Sequence, residues 1–230
     1  MRRIDLDLGS RLVPYAEGWA VQREVHAGVV AGEHPDALVL VEHEPVYTVG
    51  KRTRSWERPR GDLVESGRVP VVDVDRGGKA TWHGPGQLTV YPILRLAEPI
   101  DVIRYVRALE EAVIEVCAAH GVGTRRVEGR SGVWVPAEPG AAGARRRTDR
   151  KICALGVRVA RGVTMHGIGL NVDPDLAAFS LERIIPCGIE DAGVTSLSAE
   201  TGIPRRAVDL ADDVAAALER HLRPLRARRD

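Results

Sequence analysis

The chain has 230 residues, 44% hydrophobic and 28% charged, with 33 basic side chains against 32 acidic and a net charge of +1. That length suits a single domain able to fill a core, and the composition sets aside a disordered, collagen-like or coiled-coil chain. The charge balance argues against a protein whose main task is to neutralise a phosphate backbone, so nucleic acid is a poor first partner. No run approaches the roughly 18 apolar residues of a membrane span. The opening Met1-Arg2-Arg3-Ile4-Asp5-Leu6-Asp7 turns to alternation rather than to a signal-peptide core, so a soluble cytoplasmic protein is expected.

Ile4 to Leu8 alternates as a strand does, and Pro14 opens a helical stretch to about Val30. Ala37 to Glu42 is a continuous apolar run, the pattern of a buried strand. Gly50 to Gly67 reads as a long exposed loop, Val69 to Val74 as a strand and Leu88 to Leu96 as another. From Ile100 to His120 the spacing of Val102, Ile103, Val106, Leu109, Val113, Val116 and Cys117 predicts one apolar stripe on a helix, stopped by Gly121. Ser131 to Val135 is a short strand. Glu138 to Arg150 is a loop with arginines at its crest, Arg145, Arg146 and Arg147. Lys151 to Val159 and Gly162 to Val172 predict a hairpin about Ala160-Arg161-Gly162, and Pro204 heads a last helix to about Leu222. A basic tail from 218 to 230, solvated from Arg223 onward, closes the single domain. Strands come in adjacent groups, which predicts an α+β architecture with a mixed sheet flanked by helices.

Three cysteines, Cys117, Cys153 and Cys187, form no C-x-x-C pair and suggest thiols rather than a disulfide framework or a zinc site. The seven histidines are scattered with no metal-binding spacing, and no metal is expected. Only Lys51, Lys79 and Lys151 are lysines, against thirty arginines. Lysine can lose its proton when desolvated and arginine cannot, so each is a position to question.

Three segments could carry chemistry. Arg76 to Gln87 holds four glycines in twelve residues between two strands. It is either a tight glycine-kinked hairpin or a loop whose backbone approaches a ligand; it matches neither a phosphate-binding loop nor a dinucleotide fingerprint. In Ile184-Ile-Pro-Cys187-Gly-Ile189 a thiol sits between proline and glycine, a setting that could admit a substrate carbonyl, whereas Cys117 on a helix stripe is a small core residue. Lys151 heads Lys151-Ile-Cys-Ala-Leu-Gly156 and is either a surface lysine or a group that favours or accepts the proton of a nearby thiol.

Taken together these blocks resemble the octanoyl-[acyl-carrier-protein]:protein octanoyltransferases of lipoate synthesis. The resemblance rests on Arg76 to Gln87, on Lys151 to Gly156 continuing to Met165-His-Gly-Ile-Gly-Leu-Asn171, and on Ile184 to Ile189 with Val194-Thr-Ser-Leu197, in the family's order. It spans roughly Leu38 to Leu197. It implies a biotin/lipoate protein ligase-like catalytic domain, here a monomer, and a reaction without ATP, cofactor or metal. Cys187 would take the octanoyl group from octanoyl-acyl carrier protein as a thioester, assisted by Lys151. The acceptor would be a lysine of a lipoyl domain or of the glycine-cleavage H protein. The family's substrate contacts map onto Arg76, Gly77, Gly78, Lys79, Ala80, Thr81, Trp82 and His83, onto Ala154, Leu155 and Gly156, and onto Gly167, Ile168 and Gly169, with His83 a hydrogen-bonding partner of the chemistry. The longer, basic approach to Lys151 at 138 to 150 is a departure, either a contact for an acidic carrier or a solvated loop, and Cys153 could confuse thiol labelling. Competing functions are an ATP-dependent lipoate or biotin protein ligase and a non-catalytic binder of carrier or lipoyl domains.

Overall fold

The computed structural model describes residues 1–59, 69–137, 148–180 and 192–227. Its architecture is the expected one, a mixed sheet flanked by helices. Strands β1 (Arg2–Leu6), β2 (Ala37–Val41), β6 (Gln87–Ile93), β10 (Val163–Asn171), β9 (Arg150–Ala160), β8 (Arg130–Val135) and β7 (Arg125–Val127) lie side by side in that order, and β11 (Gly193–Val194) also pairs with β9. Three further strands, β3 (Val46–Val49), β4 (Val71–Asp73) and β5 (Thr81–His83), form a small second sheet in the order β4-β3-β5.

The main sheet is covered on both faces, which is why β2 is apolar throughout rather than alternating. Leu38, Leu40, Leu88 and Val90 face one layer, where helices α2 (Val102–Ala119) and, after the short α3 (Leu197–Thr201), α4 (Ala211–Leu222) pack together. Val39, Val41, Tyr91 and Ile93 face the other, under α1 (Tyr15–Ala31). Helix α2 begins at Asp101, whose carboxylate accepts from the Arg104 amide at 2.8 Å.

Several expectations need correction. Val102 and Ile103 do not join the buried stripe of α2: they are exposed, Ile103 by 75%, and the stripe runs instead through Tyr105, Leu109, Ala112, Val113, Val116 and Cys117. Pro204 does not head a helix; residues 203–206 are irregular, a 3-10 turn follows at Ala207–Leu210, and α4 starts only at Ala211. The glycine-rich segment is no hairpin, because β5 pairs with β3 in the small sheet while β6 belongs to the large one. The C-terminal stretch, as far as residue 227, is not a free tail: Arg223 and Pro224 are exposed, but Leu225 is buried, its carbonyl accepts from the Ala97 amide at 2.8 Å, and Arg226 pairs with Asp36 at 2.8 Å and Glu219 at 3.1 Å. An arginine-rich end looks like a tail until a buried carboxylate is found to receive it. The loop 138–147, residues 60–68 of the long loop and Cys187 lie outside the described residues. Among the described residues no helix is long and apolar enough to cross a membrane.

Candidate active site

The site is founded on β6. Its even positions, Leu88 and Val90, are apolar and face the α2 layer, whereas its odd positions are Gln87, Thr89 and Tyr91. In a strand, alternate residues share a face, so three polar side chains stand together over the opposite layer. Neighbouring β10 and β9 add small residues, Ala154, Gly156, Gly167 and Gly169. The result is a cavity of about 300 Å³ into which Lys151, His83 and His166 also project.

Lys151 reaches this cavity because of an irregularity in β9. Val133 pairs with Cys153 while Trp134 pairs with Lys151, so one step on β8 corresponds to two on β9 and Ile152 is the extra residue. A bulge of this kind exchanges the faces of the residues on either side of it. Lys151 therefore shares a face with Ala154 and Gly156, and Cys153 turns into the core. Only 5% of Lys151 is exposed, and its Nζ lies 4.6 Å from the centroid of the Trp134 ring, an electrostatically favourable seat for an ammonium. Among the described residues no carboxylate forms an ion pair with it. Gly132 makes room: its φ is +106°, and a Cβ there would stand 2.5 Å from the Cys153 carbonyl oxygen and 3.3 Å from Lys151 Cε. The Gly132 amide in turn donates to Glu110 Oε1 at 3.0 Å, a fully buried carboxylate that also pairs with Arg107 and Arg126. The described pairing of β8 with β9 stops at Cys153, which leaves the β9 edge at Ala154 to Gly156 beside the cavity until the Gly77 amide closes on the Val157 carbonyl at 2.9 Å.

His83 is held by a directional chain. Gln87 Nε2 donates to Asn171 Oδ1 at 2.9 Å, so Gln87 Oε1 is free to accept from His83 Nδ1 at 2.7 Å, and Asn171 Nδ2 donates onward to the Thr195 carbonyl at 3.0 Å. The imidazole is thus fixed as the Nδ1–H tautomer with Nε2 an acceptor. Burial pushes its pKa down to about 3, helped by the nearby His43 and Arg76. His43, pushed down to about 4 by burial, takes the Tyr91 hydroxyl at 2.7 Å and hydrogen-bonds the Val13 carbonyl at 2.9 Å. Tyr15 stacks on His83 with ring centroids 6.1 Å apart, and burial raises its pKa to about 12. These rings are all neutral near pH 7. His166 adopts φ +58°, unusual for a residue with a side chain, and its Nε2 meets Asp75 Oδ1 at 2.7 Å. Burial lowers its pKa against the pull of that carboxylate.

Most sequence-predicted contacts converge here, including Arg76, Gly78, Lys79, Thr81, His83, Ala154 to Gly156 and Gly167 to Gly169. Ala80 and Trp82 do not line the cavity. Strand alternation turns Trp82 away from Thr81 and His83, against Phe179 at 5.2 Å. Gly77 lies on a neighbouring groove instead. Arg76 is also a clamp: its two terminal nitrogens donate to the Thr48 hydroxyl and carbonyl at 2.7 and 2.9 Å, to the Lys79 carbonyl at 2.9 Å and to the Gly77 carbonyl at 3.0 Å. Lys79 is ion-paired with the buried Glu57. Cys117 and Cys153 are buried free thiols, the first pushed up to about 12 and the second well above the usual thiol value, both by burial. The sequence reading missed several lining residues, among them Tyr15, Thr89, Tyr91, Arg130 and His166; for Thr89 and Tyr91 the signal was the polar alternation within an apolar strand. Among the described residues no group of three or more His, Cys, Asp or Glu could hold a metal ion.

The fold places the chain in a class. Solved structures of similar fold include lipoate-protein ligase A bound with ATP, with a TM-score of 0.64 and 19% identity over 100% of this chain and 89% of that one. A bi-partite lipoate protein ligase from Thermoplasma acidophilum is similar as well, with a TM-score of 0.61 and 15% identity over 97% and 82% of the two chains. These show a lipoate/biotin protein ligase-like catalytic fold. Residues 14–223 match the lipoyl protein ligase A/B catalytic domain. A protein of Thermobifida fusca named octanoyltransferase is 54% identical over 94% of this chain and 85% of its own length. Another of that name, from Mycolicibacterium smegmatis, is 56% identical over 89% and 83%. The chain belongs to the lipoyl protein ligase A/B catalytic-domain family, among its octanoyltransferases, and is an acyltransferase.

Proposed function

We propose that the chain carries an octanoyl group from octanoyl-acyl carrier protein, through a thioester on Cys187, to the ε-amine of a lysine on a lipoyl domain or glycine-cleavage H protein. The observation that carries this reading is Lys151, a buried amine brought by the β9 bulge onto a cavity lined in part by Ala154, Leu155, Gly156, Gly167, Ile168 and Gly169, with Arg52, Arg76, Lys79 and Arg130 also at its wall. The small and apolar part of that lining suits a short acyl chain. Further support comes from the chain on either side of Cys187. Phe179 packs on Trp82 before it, and after it Val194 pairs with Lys151 while the Thr195 amide donates to the Lys151 carbonyl at 3.0 Å.

In the first step the Cys187 thiolate adds to the thioester carbonyl and expels the carrier's pantetheine thiolate, which takes up a proton. In the second the acceptor amine adds to the new thioester, loses a proton and expels Cys187 as thiolate. Lys151 favours the thiolate by charge or moves these protons. With pKa values near 3 and 4, His83 and His43 are not proton acceptors at neutral pH; His83 acts through the hydrogen-bonding capacity of Nε2.

Intact-mass analysis after mixing with octanoyl-acyl carrier protein tests the reading. The wild type is expected to gain one octanoyl group and to lose it to added lipoyl domain, while Cys187→Ser gains none. Lys151→Arg keeps charge and removes proton transfer, so full activity in that variant would exclude the proton-moving role. Activity of Cys187→Ser with free octanoate and ATP would overturn the reading in favour of a ligase.

A further inference from the structure

Beside the acyl cavity runs a second depression that the chemistry does not use. It shares Arg52, Gly78, Arg130, Ser131, Leu155 and Gly156 with the cavity, and continues outward over the first turns of α2, at Val102, Ile103, Val106 and Arg107. These turns are where the helix departs from its amphipathic pattern. Val102 and Ile103 are 40% and 75% exposed, and Ile100 just before them is also exposed. An apolar helix start placed in solvent beside a site mouth calls for a partner.

Among the described residues, the charged side chains that line it and reach solvent are arginines. Arg52, Arg107 and Arg130 border the groove, and the one carboxylate among its described lining residues, Glu110, is fully buried and engaged with Arg107, Arg126 and the Gly132 amide, while Asp101 caps α2 at its outer end. An acidic partner with apolar contacts at its centre matches this arrangement. Of the two proteins in the proposed reaction, the donor is the one that must thread a long arm into the cavity. Both substrates react at the same acyl carbon, but the donor's thioester stands at the end of a long arm and the acceptor lysine is short, so a groove that extends outward from Leu155 and Gly156 to the first turns of α2 suits the donor.

We infer that this groove is the docking surface for the acidic carrier domain that brings the acyl thioester, with Ile103 as its apolar centre and Arg52, Arg107 and Arg130 as its cationic border. The inference rests on the acyl-transfer reading above. Ile103→Asp tests it with little risk to folding, because the side chain is exposed. Two donors are compared: octanoyl-acyl carrier protein and the octanoyl thioester of N-acetylcysteamine, which lacks both carrier and phosphate. The ratio of kcat/KM for the carrier-borne donor to that for the truncated donor is expected to fall about tenfold, equivalent to about 1.4 kcal/mol, through KM. Ile203→Asp, replacing an apolar residue 53% exposed outside the groove, is expected to keep the wild-type ratio. An unchanged ratio in Ile103→Asp overturns the inference, and so does a rise confined to the KM of the lipoyl domain, which would give the groove to the acceptor. A wild type acylated by neither donor would instead refute the transfer reading itself.

Discussion

Acidification is expected to weaken the fold through two histidines that the structure keeps uncharged. His83 and His43 have pKa values of about 3 and about 4, against 6.5 for an unhindered imidazole, and burial is the first cause for both. Between these values the unfolded chain binds protons that the folded chain refuses, so stability rises with pH there and is lost as pH falls below about 6.5. At pH 5 each imidazole would be almost wholly charged if unfolded and neutral if folded. The difference of about 1.5 pH units below 6.5, at 1.36 kcal/mol per unit, gives about 2 kcal/mol per histidine and about 4 kcal/mol for the pair. Domains are stable by roughly 5–15 kcal/mol, so this is a large fraction. Burial lowers His166 and His26 too, which adds in the same direction. Urea unfolding at pH 7.5, 6 and 5 should show the midpoint falling with constant slope against denaturant. In a His43→Gln, His83→Gln double variant, less stable at pH 7.5, the pH dependence should shrink by about 4 kcal/mol over the same range. A wild-type midpoint that holds from pH 7 to 5, or a double variant with the full wild-type loss, would refute the reasoning. So would an imidazole resonance of either residue titrating near 6.5.

Gly169 is expected to tolerate no side chain, since a Cβ there would sit 2.7 Å from Gln87 Oε1. Gly169→Ala should displace the amide that holds His83 and Asn171, cost about 1–3 kcal/mol for the groups left unpaired, and lower the melting temperature by several degrees; an unchanged melting temperature would show the crowding to be harmless. Alkylation with iodoacetamide at pH 8 followed by peptide mapping should leave Cys117 and Cys153 unmodified in the folded protein and label both after denaturation, because burial excludes the reagent and raises both thiol pKa values. Labelling of native Cys153 would contradict its place in the core.

Much of this protein was settled by local chemistry and could be read from the chain. Apolar periodicity marked β2, α2 and the β9–β10 hairpin, because burial on one face or two leaves a pattern at the spacing of the element itself. The glycine-rich block and the lysine near the start of β9 stood out by composition. What only the tertiary structure decided are relations between distant residues. Ile152 as an extra residue in β9, which turns Lys151 onto the cavity and Cys153 away from it, is a matter of pairing with β8, and nothing in the letters Lys-Ile-Cys announces it. Arg76, expected as a substrate contact, lines the cavity and also clamps Thr48, twenty-eight positions away. Arg226 looked solvated until Asp36, 190 positions earlier, was found beside it. Val102 and Ile103 fitted a helical stripe whose first turn extends past the core it should cover. Periodicity reports which face a side chain takes on its own element; whether another element stands opposite, and with which charge, is fixed only when the chain closes on itself.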